Sequence, residues 1–251
     1  MSVAHPNAMP NTSSLPAHTP RHYRYYDLIM AAFVCILLCS NLIGAAKQTY
    51  ITLPWIGTLT VGAGVLFFPI SYFFGDILTE VYGYARDRRV VWAGFVALLF
   101  ASLMAMIIVH LPPAHNAFMA TFQGQLEGVF DNAWRIAVAS IVAYWCGSFS
   151  NSIVLAKMKV ATNGQWLWMR TIGSTAVGEL IDSLLFYALA FYGVWTTHDL
   201  VQIALLEYTL KTLWEILATP LTYWLVNRLK AAEKEDYFDR DTPFTPFSLD
   251  V

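Results

Sequence analysis

Six stretches of this sequence are long and apolar enough to cross a lipid bilayer as helices, at about 27–46, 59–80, 90–110, 133–156, 172–195 and 201–227. A helix needs roughly 20 mainly apolar residues to cross the hydrocarbon core. The chain of 251 residues is 57% hydrophobic and 13% charged, whereas soluble domains average about 45–50% apolar and about 25% charged residues. One globular core of this length cannot bury so much apolar surface, so the sequence predicts a protein embedded in lipid.

The apolar stretches predict helices and not the strands of a membrane barrel. They are continuous runs of Leu, Ile, Val, Phe and Ala, whereas barrel strands alternate apolar and polar residues over segments of about ten. The fold class that we expect is an all-α membrane protein, a bundle of six transmembrane helices. The connection at 111–132 is long enough to hold a small interfacial helix or a lid.

The basic residues predict the orientation of this bundle. Loops on one predicted side carry twelve of them and loops on the other side carry only Lys47; the twelve are Arg21, Arg24, Arg86, Arg88, Arg89, Lys157, Lys159, Arg170, Arg228, Lys230, Lys234 and Arg240. Cytoplasmic loops retain Lys and Arg, so both termini are expected in the cytoplasm. We expect a disordered tail at 1–24, the six-helix domain at 25–228 and a charged, unstructured tail at 229–251.

Several classes of function are excluded by what the sequence lacks. The net charge of −2 provides no basic face for a nucleic acid. The three cysteines lie in apolar stretches, and neither a GxxxxGK[ST] loop nor an HExxH motif occurs. We therefore expect no enzyme, no cofactor and no bound metal. The expected partners are the lipid bilayer and a small-molecule substrate, while a homo-oligomer and an energising partner both stay open.

Charged residues inside the predicted spans are the strongest sign of function. Seven occur there: Asp76, Arg135, Glu179, Asp182, Glu207, Lys211 and Glu215. Each costs about 2.5–3.5 kcal/mol at the centre of a membrane helix unless it is compensated. These groups must therefore pair with one another, face a wet cavity or bind protons. Glu80 lies at a helix end, where we expect it to reach water.

The spacing of these charges favours pairing around a cavity. Glu207, Lys211 and Glu215 follow one another at intervals of four, so Lys211 can bridge either carboxylate on its own helix. Asp182 lies at a similar depth on the preceding antiparallel helix. The alternative is architectural: ion pairs that only fix helix register, an Arg135 that extends to the interface, and an Asn41 that bonds neighbouring helices.

One motif in the second span is specific to a known family. Phe68-Pro69 is followed by Gly75-Asp76-Ile77-Leu78-Thr79-Glu80-Val81-Tyr82-Gly83, a D-[IL]-x-x-E-x-[YF]-G pattern. Polar positions before and after it continue the pattern in order: Ser40-Asn41, Arg135-Ile136-Ala137, Ala143-Tyr144, Asp182, Glu207-Tyr208 and Lys211. In these residues the chain resembles the bacterial queuosine precursor transporters, also called the vitamin uptake transporter family, over about 25–228.

The resemblance implies import of the 7-deazaguanine bases preQ0 and preQ1 across the bacterial inner membrane, for salvage into the queuosine of tRNA. It also implies a fold like the six-helix substrate-capture subunits of energy-coupling-factor vitamin transporters. A carboxylate can accept the N–H donors of a deazaguanine, and an aromatic side chain can cover its planar ring. The candidate substrate-binding residues are Asn41, Asp76, Arg135, Tyr144, Asp182, Glu207 and Lys211.

Two functions remain open at the level of sequence. The first is a stand-alone carrier that moves the base down its gradient or together with a proton. The second is a substrate-capture subunit, for a vitamin or another nucleobase, that needs an ATP-driven partner complex. Isolation from native membranes distinguishes them, because a capture subunit brings down its nucleotide-binding partners.

The predicted orientation is tested by cysteine labelling in a background without the native cysteines. We expect Ala120→Cys to react with an impermeant reagent from outside the cell, and Gln165→Cys to react only after the membrane is permeabilised. The opposite pattern would invert the proposed topology.

Overall fold

The computed structural model describes residues 23–44, 48–53, 57–130, 134–194 and 196–249, and these residues are mainly helical. The predicted N-terminal tail at 1–24 lies almost entirely outside the described residues. The helices are α1 (Tyr26–Leu38), continued by a π-helical turn (Cys39–Gly44), then α2 (Phe68–Tyr82), α3 (Tyr84–Val109), α4 (Ala117–Phe130), α5 (Trp134–Ala161), α6 (Leu167–Phe191) and α7 (Thr197–Glu233). Two strands, β1 (Gln48–Leu53) and β2 (Gly57–Gly62), pair in antiparallel orientation.

Three described helices are long and apolar enough to cross a membrane: Tyr84–Val109, Val138–Ala161 and Leu167–Phe191. A shorter apolar helix covers Tyr26–Leu42. Large apolar side chains of α3 point outward, among them Val96, Phe100 and Ile108. Buried acids, amides and hydroxyls lie in the interior, among apolar side chains such as Ile77 and Leu78. An apolar exterior with polar groups confined to the interior is the arrangement expected of a protein whose solvent is lipid.

The second predicted span differs most from expectation. The window at 59–80 contains the end of β2, a 3₁₀ turn (Ala63–Leu66) and only then α2. Pro69 lies in the first turn of α2 and does not interrupt it, because the first turn has no partner for the N–H that proline lacks. The apolar window at 59–80 therefore contains the end of a strand as well as a helix. The connection at 111–132, for which the sequence left an interfacial helix or a lid open, contains the helix α4.

Helices α5 and α6 approach most closely at two glycines. A methyl group on Gly178 would lie 2.9 Å from the carbonyl oxygen of Gly147 and 2.8 Å from the Cβ of Asn151. Small residues at such a crossing allow two backbones to pack directly. This contact fixes the relative positions of the polar side chains that α5 and α6 carry on either side of it.

Glu80 forms the centre of a buried ionic cluster at the end of α2. It is fully buried, although the sequence predicts that it reaches water. Arg170 lies 2.5 Å from one carboxylate oxygen, and Lys230 and Lys159 lie 2.6 and 3.5 Å from the other. Three helices thus supply the cations that compensate one acid. We call Glu80, Lys159, Arg170, Lys230 and the nearby Asp236 the Glu80 cluster.

The C-terminal segment, residues 235–249, packs against this end of the bundle and is not the unstructured tail that the sequence predicts. It has no regular secondary structure, but Asp236 bonds Lys159 at 2.6 Å and Lys230 at 2.8 Å. Burial raises the pKa of Asp236, but the hydrogen bonds from the two lysines together lower it by more. The pKa of Asp236 therefore lies below its usual range. Further along, Arg88 and Trp92 donate hydrogen bonds to backbone carbonyls of the segment.

Asp239 of this segment caps α3 from outside the helix. Both of its carboxylate oxygens accept the backbone N–H of Tyr84, at 3.0 and 3.2 Å. Gly83 separates α2 from α3 with φ of +85°, so the first N–H groups of α3 have no partner in α2. A carboxylate at a helix N-terminus satisfies these donors and interacts favourably with the helix dipole.

We expect Asp239→Ala to lower the stability of the protein by about 1–2 kcal/mol, because it removes this cap. Thermal unfolding of the purified protein in detergent measures the loss, and hydrogen exchange locates it in the first turn of α3. Asp241→Ala is the matched control, since Asp241 is exposed in the same segment. Equal stability of the two variants would contradict the capping role.

Candidate functional site

Lys211 binds two carboxylates of the neighbouring helix in the interior of the bundle. Its Nζ atom lies 2.9 Å from Oδ2 of Asp182 and 3.0 Å from Oε2 of Glu179. These two acids are three residues apart on α6 and therefore share one face of that helix. The Lys211 side chain is 7% exposed. We call these three residues the Lys211 cluster; with all three ionised its net charge is −1.

The partners of Lys211 differ in part from those predicted. The four-residue spacing on α7 also permits pairs with Glu207 or Glu215, but among the described residues the ion pairs of Lys211 are with α6 alone. Two acids from one neighbouring helix provide more compensation for the buried ammonium than one acid of its own helix. The predicted contact with Asp182 is present, and Glu179 is an additional partner.

Aromatic side chains from the start of α2 lie beside this cluster. The Nζ atom of Lys211 is 4.5 Å from the centre of the Phe68 ring, within the range of a cation–π interaction. The Tyr72 hydroxyl is buried without a hydrogen-bond partner in the described part of the chain. It fits into the gap at Gly147 and Gly178, next to the Cβ of Asp182. A buried hydroxyl without a partner at this place is a donor that a ligand can use.

Glu207 lies one helical turn before Lys211 on α7 and is partly buried. Its carboxylate is within hydrogen-bonding reach of the Tyr187 hydroxyl on α6. Since the cluster and Glu207 are consecutive layers of the same α6–α7 interface, they form one polar track.

Asp76 belongs to a separate polar layer. It is fully buried on α2 and accepts hydrogen bonds from Asn151 at 2.7 Å and from Thr175 at 3.5 Å. Glu215 of α7 is also buried, and neither of its carboxylate oxygens has a hydrogen-bond partner among the described residues. The structure therefore does not bring Asp76 into the Lys211 cluster.

Asn41 and Arg135 bind other parts of the protein. Ser140 of α5 donates a hydrogen bond to the Asn41 amide oxygen, and the Asn41 amide nitrogen donates to the carbonyl of Leu37. This is the bond between helices that the architectural alternative describes. Arg135 donates to the carbonyls of Leu189 and Tyr192, at 2.8 and 2.6 Å, and so satisfies unpaired groups at the end of α6.

Tyr144, a predicted substrate-binding residue, contacts α1 and α3 and not the Lys211 cluster. Its hydroxyl donates to the carbonyl of Val91 on α3, and its ring packs near Phe33 of α1. Aromatic side chains next to the Lys211 cluster include Phe68, which the sequence marked only as part of the family motif, and Tyr72, which it did not single out. Tyr72 lies four residues before Asp76 and thus on the same helix face, and that spacing is the signal that could have found it.

The described residues contain no group of three or more His, Cys, Asp or Glu side chains that could hold a metal ion. What the cluster offers is hydrogen-bond acceptors with a surplus negative charge, an aromatic face and a free hydroxyl. These groups suit a planar, polar molecule with N–H donors.

Residues 62–225 match a protein family described as "Putative vitamin uptake transporter". The chain is 29% identical over 198 residues to the "Probable queuosine precursor transporter" of Bacillus subtilis, covering 77% of this chain and 82% of that one. It is 26% identical over 182 residues to the "Queuosine precursor transporter" of Escherichia coli, covering 69% of this chain and 77% of that one. No solved structure matches the chain.

We expect Lys211→Met to destabilise the purified protein by about 3–5 kcal/mol, because it leaves two buried carboxylates without their cation. Adding Glu179→Gln and Asp182→Asn to the same variant should restore much of the loss, since no uncompensated charge then remains. Thermal unfolding in detergent measures both effects. Lys234→Met, at an exposed position after α7, is the control.

The architecture of the cluster would be contradicted if Lys211→Met unfolded at the wild-type temperature. A triple variant no more stable than the single one would equally show that charge compensation is not what Lys211 provides.

Proposed function

Since this chain belongs to the vitamin uptake transporter family, we propose that it imports queuosine precursors, the 7-deazaguanine bases preQ0 and preQ1, across the bacterial inner membrane. The family and the relatives are transporters, and the protein is a transporter and not an enzyme. The names of two relatives support the choice of substrate. The observation that carries the proposal is the buried Lys211 cluster within a bundle whose outer surface is apolar.

We propose six membrane spans, formed by α1 with its π-helical turn, α2, α3, α5, α6 and α7. The Glu80 cluster and the C-terminal segment then lie on the cytoplasmic side, together with most of the basic residues. Helix α2 has 15 residues and is about 22 Å long, so the segment before it must complete the crossing. In this arrangement α4 lies outside, between α3 and α5.

Asp182 is the proposed contact to the pyrimidine edge of the base. A carboxylate accepts two parallel N–H donors of such an edge, and these charge-assisted bonds are the stronger kind. Phe68 and Tyr72 provide aromatic surface for the ring, and the Tyr72 hydroxyl provides a donor for a ring acceptor. The surplus negative charge of the cluster suits the aminomethyl cation of preQ1.

Lys211 would link binding to rearrangement. Without substrate it pairs with both Asp182 and Glu179. A base that binds Asp182 competes with the ammonium for the same oxygens, so Lys211 must shift toward Glu179 or Glu207. This couples the substrate to the position of α7 against α6. Contacts of Asn41, Asp76, Arg135 and Tyr144 with substrate stay predictions from the sequence.

The experiment is growth of a host that makes neither preQ0 nor preQ1 and lacks its own importer. Expression of this protein, with base supplied in the medium, should restore queuosine in tRNA. Asp182→Asn should reduce the restoration at least tenfold at low base concentration, since it removes a charged acceptor worth about 1.5–3 kcal/mol. Asp27→Asn, at an exposed position of α1, should behave as wild type.

Unmodified tRNA despite verified membrane expression would overturn the proposed substrate. Normal restoration by Asp182→Asn would remove Asp182 from the binding site while leaving the function in place. Uptake that occurs in cells but fails in liposomes holding only this protein would instead indicate a capture subunit with an energising partner.

A further inference from the structure

A second pair of buried acids, Asp76 on α2 and Glu215 on α7, lies apart from the Lys211 cluster. Their exposed fractions are 0% and 1%. Within the described part of the chain, no Lys or Arg side chain lies within 4.0 Å of either carboxylate. Lys211 is one turn from Glu215 on the same helix, but its ammonium bonds α6. The pair therefore has no compensating cation.

Several polar atoms of the pair and its neighbours have no hydrogen-bond partner among the described residues. Both carboxylate oxygens of Glu215 lack a hydrogen bond in the described residues, and so does the amide oxygen of Asn151. Asn151 is itself 2% exposed, and its amide nitrogen donates to Asp76 at 2.7 Å. Thr175 is the second donor to Asp76, at 3.5 Å. Three acceptor atoms in one buried layer thus have no donor.

This layer cannot hold two negative charges without a large cost. An ionised carboxylate in a dry interior that finds no cation and no donor loses more solvation than a protein of this size can offset. Asp76 and Glu215 lie on helices that pack against each other, α2 and α7, so two ionised carboxylates here also repel each other. A proton removes one of the two charges and supplies one hydroxyl donor to a layer in which three acceptors have none among the described residues.

We propose that Asp76 and Glu215 form a proton-binding site whose occupation couples proton entry to import of the base. The proposal rests on the function proposed above. One proton binds from the outside, is carried as a carboxylic acid and leaves to the cytoplasm, and no covalent bond to the substrate is made or broken. The singly protonated pair lets the α2–α7 interface close, whereas the doubly ionised pair requires access to water.

Other charged groups come from each helix around the pair. Glu80 on α2 is compensated by the cations of its own cluster. Asp87 on α3 is buried and accepts a hydrogen bond from Ser152 of α5. Further ionisable groups on these helices include Asp27 on α1, Tyr72 on α2, Arg88 on α3, Lys159 on α5, Glu179 and Asp182 on α6, and Lys211 on α7. Asp87 is the one that could take over the proposed role, so it enters the test.

The test uses purified protein in liposomes and radiolabelled preQ0, which carries no charge of its own. Wild type should exchange labelled for unlabelled base without a gradient, and should accumulate base above equilibrium when the outside is acidic. Glu215→Gln, which imitates the protonated acid, should still exchange base above the level of empty liposomes but accumulate it only to equilibrium. Glu127→Gln on the exposed helix α4 is the matched control and should accumulate base like wild type.

A second measurement follows the proton directly. Infrared spectroscopy of wild type at neutral pH should show a protonated carboxyl band that Glu215→Gln or Asp76→Asn removes and that Glu127→Gln retains. This reading needs no transport and applies even if a variant exchanges base poorly. Absence of the band from folded wild-type protein would overturn the proposal.

The outcomes separate this inference from the proposed function. No exchange by wild type would overturn the function itself. Exchange without a response to the pH gradient, or accumulation driven by a sodium gradient instead, would overturn only the proton site. If Glu215→Gln accumulated base above equilibrium, the proton would be assigned to another group. The same conclusion would follow if Asp87→Asn lost accumulation while Glu215→Gln retained it.

Discussion

The need to neutralise buried charge governs the arrangement of this protein. An ion in a dry interior is stable only with a counter-ion or with hydrogen bonds to its charged atoms. Two clusters meet this requirement in different ways. Glu80 collects cations from three helices at the end of the bundle, whereas Lys211 collects two acids from one helix farther inside. Each cluster ties α7 to the helices around it, so the position of this long helix depends on charge pairs at two depths.

The two clusters differ in how firmly they are closed. The C-terminal segment covers the Glu80 cluster, adds Asp236 to its lysines and caps α3 through Asp239. At the Lys211 cluster, by contrast, the neighbouring Tyr72 hydroxyl has no hydrogen-bond partner in the described residues. A closed cluster at one end and an incomplete one in the interior are suited to different tasks. The first holds the helices together, and the second can exchange its internal partners for those of a bound molecule.

The proposed transport cycle follows from this difference. Binding of a base at Asp182 changes the partners of Lys211, and binding of a proton at Asp76 and Glu215 changes the charge of the neighbouring layer. Both events act on α7, which carries Lys211 and Glu215 one turn apart. In this proposal one helix therefore responds to both ligands. The close contact of α5 and α6 at Gly147 and Gly178 provides a packed surface against which α7 can move.

The sequence by itself determined the helical character, the apolar exterior and the set of charges that need compensation, because these follow from composition and local spacing. Which partner each charge takes was decided only by tertiary structure, since pairing depends on how helices are rotated and crossed. Local spacing offered Lys211 the acids of its own helix, yet it binds Glu179 and Asp182 of α6. Arg135 caps α6, and Tyr144 bonds α3, for the same reason. Glu80 pairs with Lys159, Arg170 and Lys230, which lie 79, 90 and 150 positions away in the chain, and no local pattern records these contacts.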